Sequence, residues 1–391
     1  MSGFTYLGAV PASKSLLNRA LIAKSFFSGL NIHGDSRADD VVKMRGAIEA
    51  LKDGQTMDCG MAGTVLRFMA LRAARIKGTH VLTGEPRLFE RPQSELERVL
   101  AQLGCQVEFY DRHIKIRSWE WKMVGDALHI PAERSSQFAS AALLSAWDLP
   151  FDLCILLSPE TVSESYLRMT IQFLRGLGMQ IDQTAREIRV PRGQLPKQTE
   201  VNVEPDMSSA FALAACAAVG GRATLMGFPA RSSQPDIVFV EYMRSMGVPI
   251  ESAHGHLDIH RAPRLVPIHC ELGNAPDLFP VLAALAALAD GESQLRGAPQ
   301  LRFKESDRIK KSAELLRLAG REVTEFDDGL KIDGRSAPVL RKAVWFDPDH
   351  DHRMAMAAAV LGCAGEPVHI SQPQVVTKSF PEFWSAIGRP L

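Results

Sequence analysis

Cations and short polar residues stand at the starts of several alanine-rich stretches of this 391-residue chain. Lys14-Ser15 precede one, with Arg19 a turn further on. Gly63-Thr64 and Arg67 open a second, and Ser135-Ser136-Gln137 a third. Asp206 with Ser208-Ser209, then Asp277, then Asp351-His352-Arg353 open three more. A helix start presents free backbone N–H groups and the positive end of the helix dipole, so it attracts anions. Arg91, Lys304, Arg308 and Lys378 add positive charge elsewhere. With Lys14, Arg19, Arg67 and Arg353 they can neutralise two phosphates and two carboxylates, and arginine suits planar, bidentate contact with such groups. The chemistry indicated is work on small polyanionic molecules. Taken singly, each cation also reads as a solvated surface charge. Their recurrence at corresponding points of a repeat favours the anion site.

Other chemistries fit less well. Asp347, Asp349, His350, Asp351 and His352 suggest a metal, but neighbours in sequence rarely all face one ion. His254-Gly255-His256 with His260 reads as a hairpin with glycine in its turn. Neither GxxxxGK[ST] nor GxGxxG occurs, so no nucleotide site is indicated. Lysine plus arginine equals aspartate plus glutamate at 45 each, without the basic excess of a dedicated nucleic-acid binder. The six cysteines lie far apart, mostly among apolar neighbours, and read as reduced core residues of a cytoplasmic protein. Met1 to Val10 has neither the basic start nor the apolar core of a secretory signal. No apolar run approaches the ~20 residues of a membrane span.

These residues need elements to position them, and the alanine-rich stretches recur. Six segments share a polar start and an apolar run, beginning near Ser15, Thr64, Ser136, Ser208, Asp277 and His352. The spacing is about 70 residues after a shorter first interval, the mark of an internal repeat. Serine, threonine and aspartate are good N-caps, alanine and leucine strong helix formers. Apolar residues on all sides imply helices buried on every face. An amphipathic helix follows each, as at Asp40 to Leu51, Gln93 to Leu103, Ser165 to Leu177, Pro235 to Met246 and Ser306 to Leu318. Each unit thus reads as strand, buried helix, strand, amphipathic helix, hairpin. Six units suit two α/β domains of three repeats each. One would be continuous over 13–203; the other would combine 1–12 with 204–391. Helix starts converging between them would form an anion trap.

The motifs then point to a family. Pro11-Ala12-Ser13-Lys14-Ser15-Leu16-Leu17-Asn18-Arg19-Ala20 resembles the PGSKSxxNRA signature of the 5-enolpyruvylshikimate-3-phosphate synthases, and Ala62-Gly63-Thr64-Val65-Leu66-Arg67 resembles their NAGTxxR loop. Leu82-Thr83-Gly84-Glu85 through Arg91-Pro92 is similar to LTGDxxLxxRP. Arg302-Phe303-Lys304-Glu305-Ser306-Asp307-Arg308 is similar to RxKESDR. Asp351-His352-Arg353-Met354-Ala355-Met356 and Lys378-Ser379-Phe380-Pro381 match DHRMAM and KSFP. The motifs run in family order along nearly the whole chain. Met61, Ala12 and Phe68 depart from the usual asparagine, glycine and proline, and the chain is short for the family.

This resemblance implies two inside-out α/β barrel domains that close over substrate. It implies that shikimate 3-phosphate meets Lys14, Ser15, Arg19, Ser135, Ser136, Gln137, Ser163, Tyr166, Asp277 and Lys304. It implies that phosphoenolpyruvate meets Lys14, Gly63, Arg91, Gln137, Arg308, Arg353 and Lys378. The reaction implied is addition followed by elimination, which needs a proton donor and a base but no metal or organic cofactor. Asp277 is expected to take the hydroxyl proton and Glu305 to serve the methylene carbon. Lys14 would share that work, and His352 would tune Glu305 or the leaving phosphate. The expected partners are these two small molecules alone, with no nucleic acid, no membrane and a monomeric enzyme. Two alternatives stay open: enolpyruvyl transfer to a UDP-amino sugar, and a catalytically silent relative that binds shikimate phosphate.

Overall fold

The computed structural model describes residues 3–91, 93–131, 135–158, 162–253, 255–334 and 342–389. Three positions named above, Met1, Pro92 and His254, lie outside these residues. The chain divides into two compact units, Lys14–Val203 and Met1–Ser13 with Glu204–Leu391.

In the unit Lys14–Val203, the helices Lys14–Phe26, Gly63–Ala73 and Gln137–Leu144 pack against one another. Alanine at so many contact positions lets helices approach closely, and the larger Phe68, Leu71, Phe138 and Leu143 fill the space left. Each of these helices is tied to a pair of parallel strands. Met57–Asp58 pairs with Gly78–Thr83, Leu128–Ile130 with Leu153–Leu157, and Asn31–His33 with Glu200–Asn202. Antiparallel hairpins extend the first two pairs to four strands. The amphipathic helices Asp39–Lys52, Ser94–Gln102 and Glu164–Gly176 turn one apolar side inward.

The other unit repeats the plan. Met207–Gly220, Phe279–Ala286 and His352–Cys363 are its buried helices. Its parallel pairs are Phe4–Ala9 with Gly221–Met226, His269–Glu271 with Glu292–Arg296, and Val344–Phe346 with Val368–Ile370. A side chain at Gly220 would put its Cβ 2.6 Å from the Cys363 carbonyl oxygen, so glycine allows the two helix ends to meet. Gly255, at φ +81°, turns the hairpin between Ile250–Ala253 and His256–His260, as the sequence suggested.

The structure departs from the repeat as read. The first and sixth units carry no hairpin among the described residues: Lys52 is followed almost at once by the strand Met57–Asp58. In the sixth, a 3-10 helix, Pro373–Lys378, replaces the amphipathic helix. Strands are also exchanged at both crossings. Phe4–Ala9 precedes the Lys14–Phe26 helix in sequence but pairs in the other unit, while Glu200–Asn202 returns to pair with Asn31–His33. The chain forms a mixed α/β fold of separate sheets, with no closed barrel among the described residues. No helix among them is long and apolar enough to cross a membrane.

Candidate functional site

The expected residues gather in two groups, one in each unit. In the unit containing 204–391 the centre is Arg308, the first residue of the Arg308–Leu318 helix and 1% exposed. Its Nε donates to Asp351 Oδ2 at 2.8 Å, Nη1 to Asp277 Oδ1 at 2.8 Å, and Nη2 to Glu305 Oε2 at 2.9 Å. Arg353 Nη2 donates to the other Asp277 oxygen at 2.7 Å, and Lys378 Nζ lies 3.0 Å from the other Glu305 oxygen. The result is a chain of alternating charge, Lys378–Glu305–Arg308–Asp277–Arg353, anchored by the fully buried Asp351.

Local sequence explains how these groups are held. Asp351 and Asp307 cap the helices that follow, accepting from the backbone N–H of Arg353 and Lys310. Each cap satisfies a helix start and fixes its arginine one or two residues on. Asp277 sits in a 3-10 turn, Pro276–Leu278, just before the helix Phe279–Ala286, so its carboxylate is free to face the arginines rather than cap. Burial alone would raise the Asp277 carboxyl, but Arg353, Arg308 and Lys304 outweigh it and hold the group well below the usual carboxylate range. Burial would likewise lower Arg308, and Asp351, Glu305 and Asp277 together raise it far above the ordinary arginine value. His352 is fully buried at the first helical position, with Nδ1 3.7 Å from Asp351 Oδ1.

In the unit Lys14–Val203 the partners are different. Lys14 Nζ is 2.9 Å from Asp40 Oδ2, both largely buried. Arg19 is held by Thr170 Oγ1 and by the carbonyls of Ser15 and Tyr166. Arg67 Nη1 donates to Gln137 Oε1 at 2.7 Å, which leaves the Gln137 amide N–H to donate to Thr64 Oγ1 at 3.1 Å. Ser135 Oγ accepts the Gln137 backbone N–H at 3.2 Å, and Ser136 precedes that helix with no side-chain cap. Ser163 stands in the left-handed region (φ +53°) immediately before the helix that carries Tyr166. A Cβ at Gly63 would lie 2.7 Å from Arg91 Nη1, so a side chain there would push that guanidinium away from this helix start.

A sequence profile for EPSP synthase (3-phosphoshikimate 1-carboxyvinyltransferase) matches residues 24–387. The chain belongs to the EPSP synthase family. It is 34% identical to the 3-phosphoshikimate 1-carboxyvinyltransferase of Methanoculleus marisnigri, over 96% of this chain and 94% of that protein. It is 32% identical to the one from Dehalococcoides mccartyi, over 96% and 93%. The EPSP synthase structure from Acinetobacter baumannii shares the fold with a TM-score of 0.76 at 24% identity, covering 99% of this chain and 95% of that one. The enolpyruvyl transferase NikO from Streptomyces tendae shares it with 0.71 at 13% identity, again covering 99% and 95%.

Three site neighbours in this EPSP synthase family member belong to none of the motifs: Asp40 beside Lys14, Thr170 beside Arg19, and Ser140, whose Oγ accepts from Thr170 Oγ1 at 2.9 Å. The sequence marks Asp40 only as the start of an amphipathic helix. Thr170 carried a usable signal, since it occupies the inward stripe of Leu167, Ile171 and Leu174. A hydroxyl on such a stripe must find a buried partner. Asp351 opens its helix as the sequence suggests, and in addition the structure makes it the anchor of Arg308. Among the described residues no group of three or more histidine, cysteine, aspartate or glutamate side chains is placed to hold a metal ion.

Proposed function

We infer that this chain transfers the enolpyruvyl group of phosphoenolpyruvate to the 5-hydroxyl of shikimate 3-phosphate, releasing phosphate. Family membership supports the reaction. The observation that carries the site is the alternating chain Lys378–Glu305–Arg308–Asp277–Arg353. We assign phosphoenolpyruvate to Lys14, Gly63, Arg91, Gln137, Arg308, Arg353 and Lys378. Shikimate 3-phosphate is assigned to Lys14, Ser15, Arg19, Ser135, Ser136, Gln137, Ser163, Tyr166, Asp277 and Lys304. The buried helices packed inside each unit support reading both as inside-out barrels, and the break at 13/14 and 203/204 supports two domains of three repeats.

The cluster suggests how the base is armed. Asp277 shares Arg308 and Arg353, which makes it a poor base while no ligand is bound. An arriving carboxylate or phosphate competes for the same guanidinium N–H groups. As the arginines turn to the ligand, Asp277 regains proton affinity and can take the proton of the attacking hydroxyl. Glu305, between Arg308 and Lys378, is placed by the same logic to exchange a proton with the methylene carbon. The arginines then stabilise charge developing on the departing phosphate.

The test is phosphate release from the purified chain given phosphoenolpyruvate and shikimate 3-phosphate, with the product confirmed by mass. Release with UDP-N-acetylglucosamine in place of shikimate 3-phosphate would point to the sister reaction. No release with either acceptor, despite shikimate 3-phosphate binding, would point to the silent relative.

A further inference from the structure

Arg19 is an unusual arginine. It is 3% exposed, and its hydrogen-bond partners among the described residues are all neutral. Nε donates to Thr170 Oγ1 at 2.8 Å, Nη1 to the Ser15 carbonyl at 2.8 Å and Nη2 to the Tyr166 carbonyl at 3.3 Å. The Phe68 ring lies against it, 5.4 Å from Cζ to centroid. Those contacts use three of the five guanidinium N–H groups and leave one on each terminal nitrogen, the number a bidentate oxyanion takes.

Two of the three acceptors are main-chain carbonyls fixed by their helices. Thr170 is the only side chain among them. It is fully buried, and its single proton faces Ser140 Oγ at 2.9 Å and the Tyr166 carbonyl at 3.0 Å. Ser140 is also fully buried. The relay Arg19–Thr170–Ser140 therefore ties together the helices Lys14–Phe26, Glu164–Gly176 and Gln137–Leu144. The starts of all three carry residues assigned above to shikimate 3-phosphate. Among the described residues no carboxylate hydrogen-bonds this guanidinium, so none of them supplies a charge partner to fix its direction. The hydroxyl on Nε supplies that direction.

We propose that Thr170, backed by Ser140, is a positioning residue for shikimate 3-phosphate: it orients Arg19 so that the two remaining N–H groups face the ligand. This rests on the assignment of Arg19 to that substrate. Calorimetry with shikimate 3-phosphate, together with steady-state kinetics, separates the possibilities. Thr170→Val keeps the shape and removes the acceptor, and it should weaken shikimate 3-phosphate binding about tenfold or more, the scale of a lost hydrogen bond to a charged group. At saturating shikimate 3-phosphate, kcat and the KM for phosphoenolpyruvate should change by less than about threefold, because orientation of the first ligand is then restored by mass action. Thr170→Ser should bind nearly as the parent does, and Ser140→Ala should fall between. Arg19→Lys is the control. If Arg19→Lys weakens binding but Thr170→Val does not, the positioning role is wrong while the Arg19 assignment stands. If Arg19→Lys binds normally, the assignment fails and the proposal with it. If Thr170→Ser is as weak as Thr170→Val, packing rather than the hydroxyl is responsible, and the proposal is overturned.

Discussion

The two units hold their buried arginines in opposite ways. Arg308 is surrounded by Asp351, Asp277 and Glu305, so its charge is neutralised before any ligand arrives. Among the described residues Arg19 meets a hydroxyl, two carbonyls and an aromatic face and no carboxylate, so none of them compensates its charge. Burial accordingly pulls the Arg19 guanidinium down from its ordinary range to about 10. The first arrangement makes an anion compete for a guanidinium and so couples binding to the release of a base. The second leaves an unmet demand for an anion, which a dianionic ligand satisfies directly.

The largest effect expected from this contrast is on catalysis. Asp277→Ala and Glu305→Ala should each lower turnover by about 10²–10⁴-fold. Substrate affinity should fall much less, because the arginines remain. Rapid-quench or steady-state phosphate assays would read this, and near-normal turnover in both variants would remove the acid–base assignment.

Stability should separate the two arginines next. Arg308→Met leaves three carboxylates facing each other in a buried site and should cost about 3–5 kcal/mol. Arg19→Met removes a charge that no carboxylate balanced, so it should be neutral or mildly stabilising. Urea unfolding of both variants checks the difference, and equal losses would erase the contrast.

Anion binding offers a smaller measure. Inorganic phosphate should raise the melting temperature of the parent protein by linkage. Arg19→Met should lose most of that gain. If it keeps the full gain, the uncompensated charge is not what the anion meets.

The smallest effect is on acid stability. Asp277 titrates well below the ordinary carboxylate range in the fold, so the unfolded chain takes up its proton first. Its contribution is fully present above the ordinary value of about 3.9 and is lost as pH falls through the lower folded value. The stability gap between the parent and Asp277→Asn should therefore be flat near neutral pH and narrow only in acid. A gap that closes on approach to neutral pH would mean the arginines do not hold Asp277 as described.

Sequence by itself determined the buried helices, because alanine-rich runs with polar starts have no stable alternative to burial on all sides. It also placed Arg308 and Arg353 next to capping aspartates, since a cap acts over only two or three residues. The family followed from motifs of the same short range. Which carboxylate each arginine meets was another matter. Arg308 finds Asp277 31 residues away and Asp351 43 away, and Arg19 finds Thr170 151 away. The strand Phe4–Ala9 pairs with Gly221–Met226, far along the chain. Such pairings depend on the direction in which a side chain or strand edge points after helices pack. Spacing along the chain carries no information about that direction, so only the tertiary structure decided that Arg308 is neutralised and Arg19 is not.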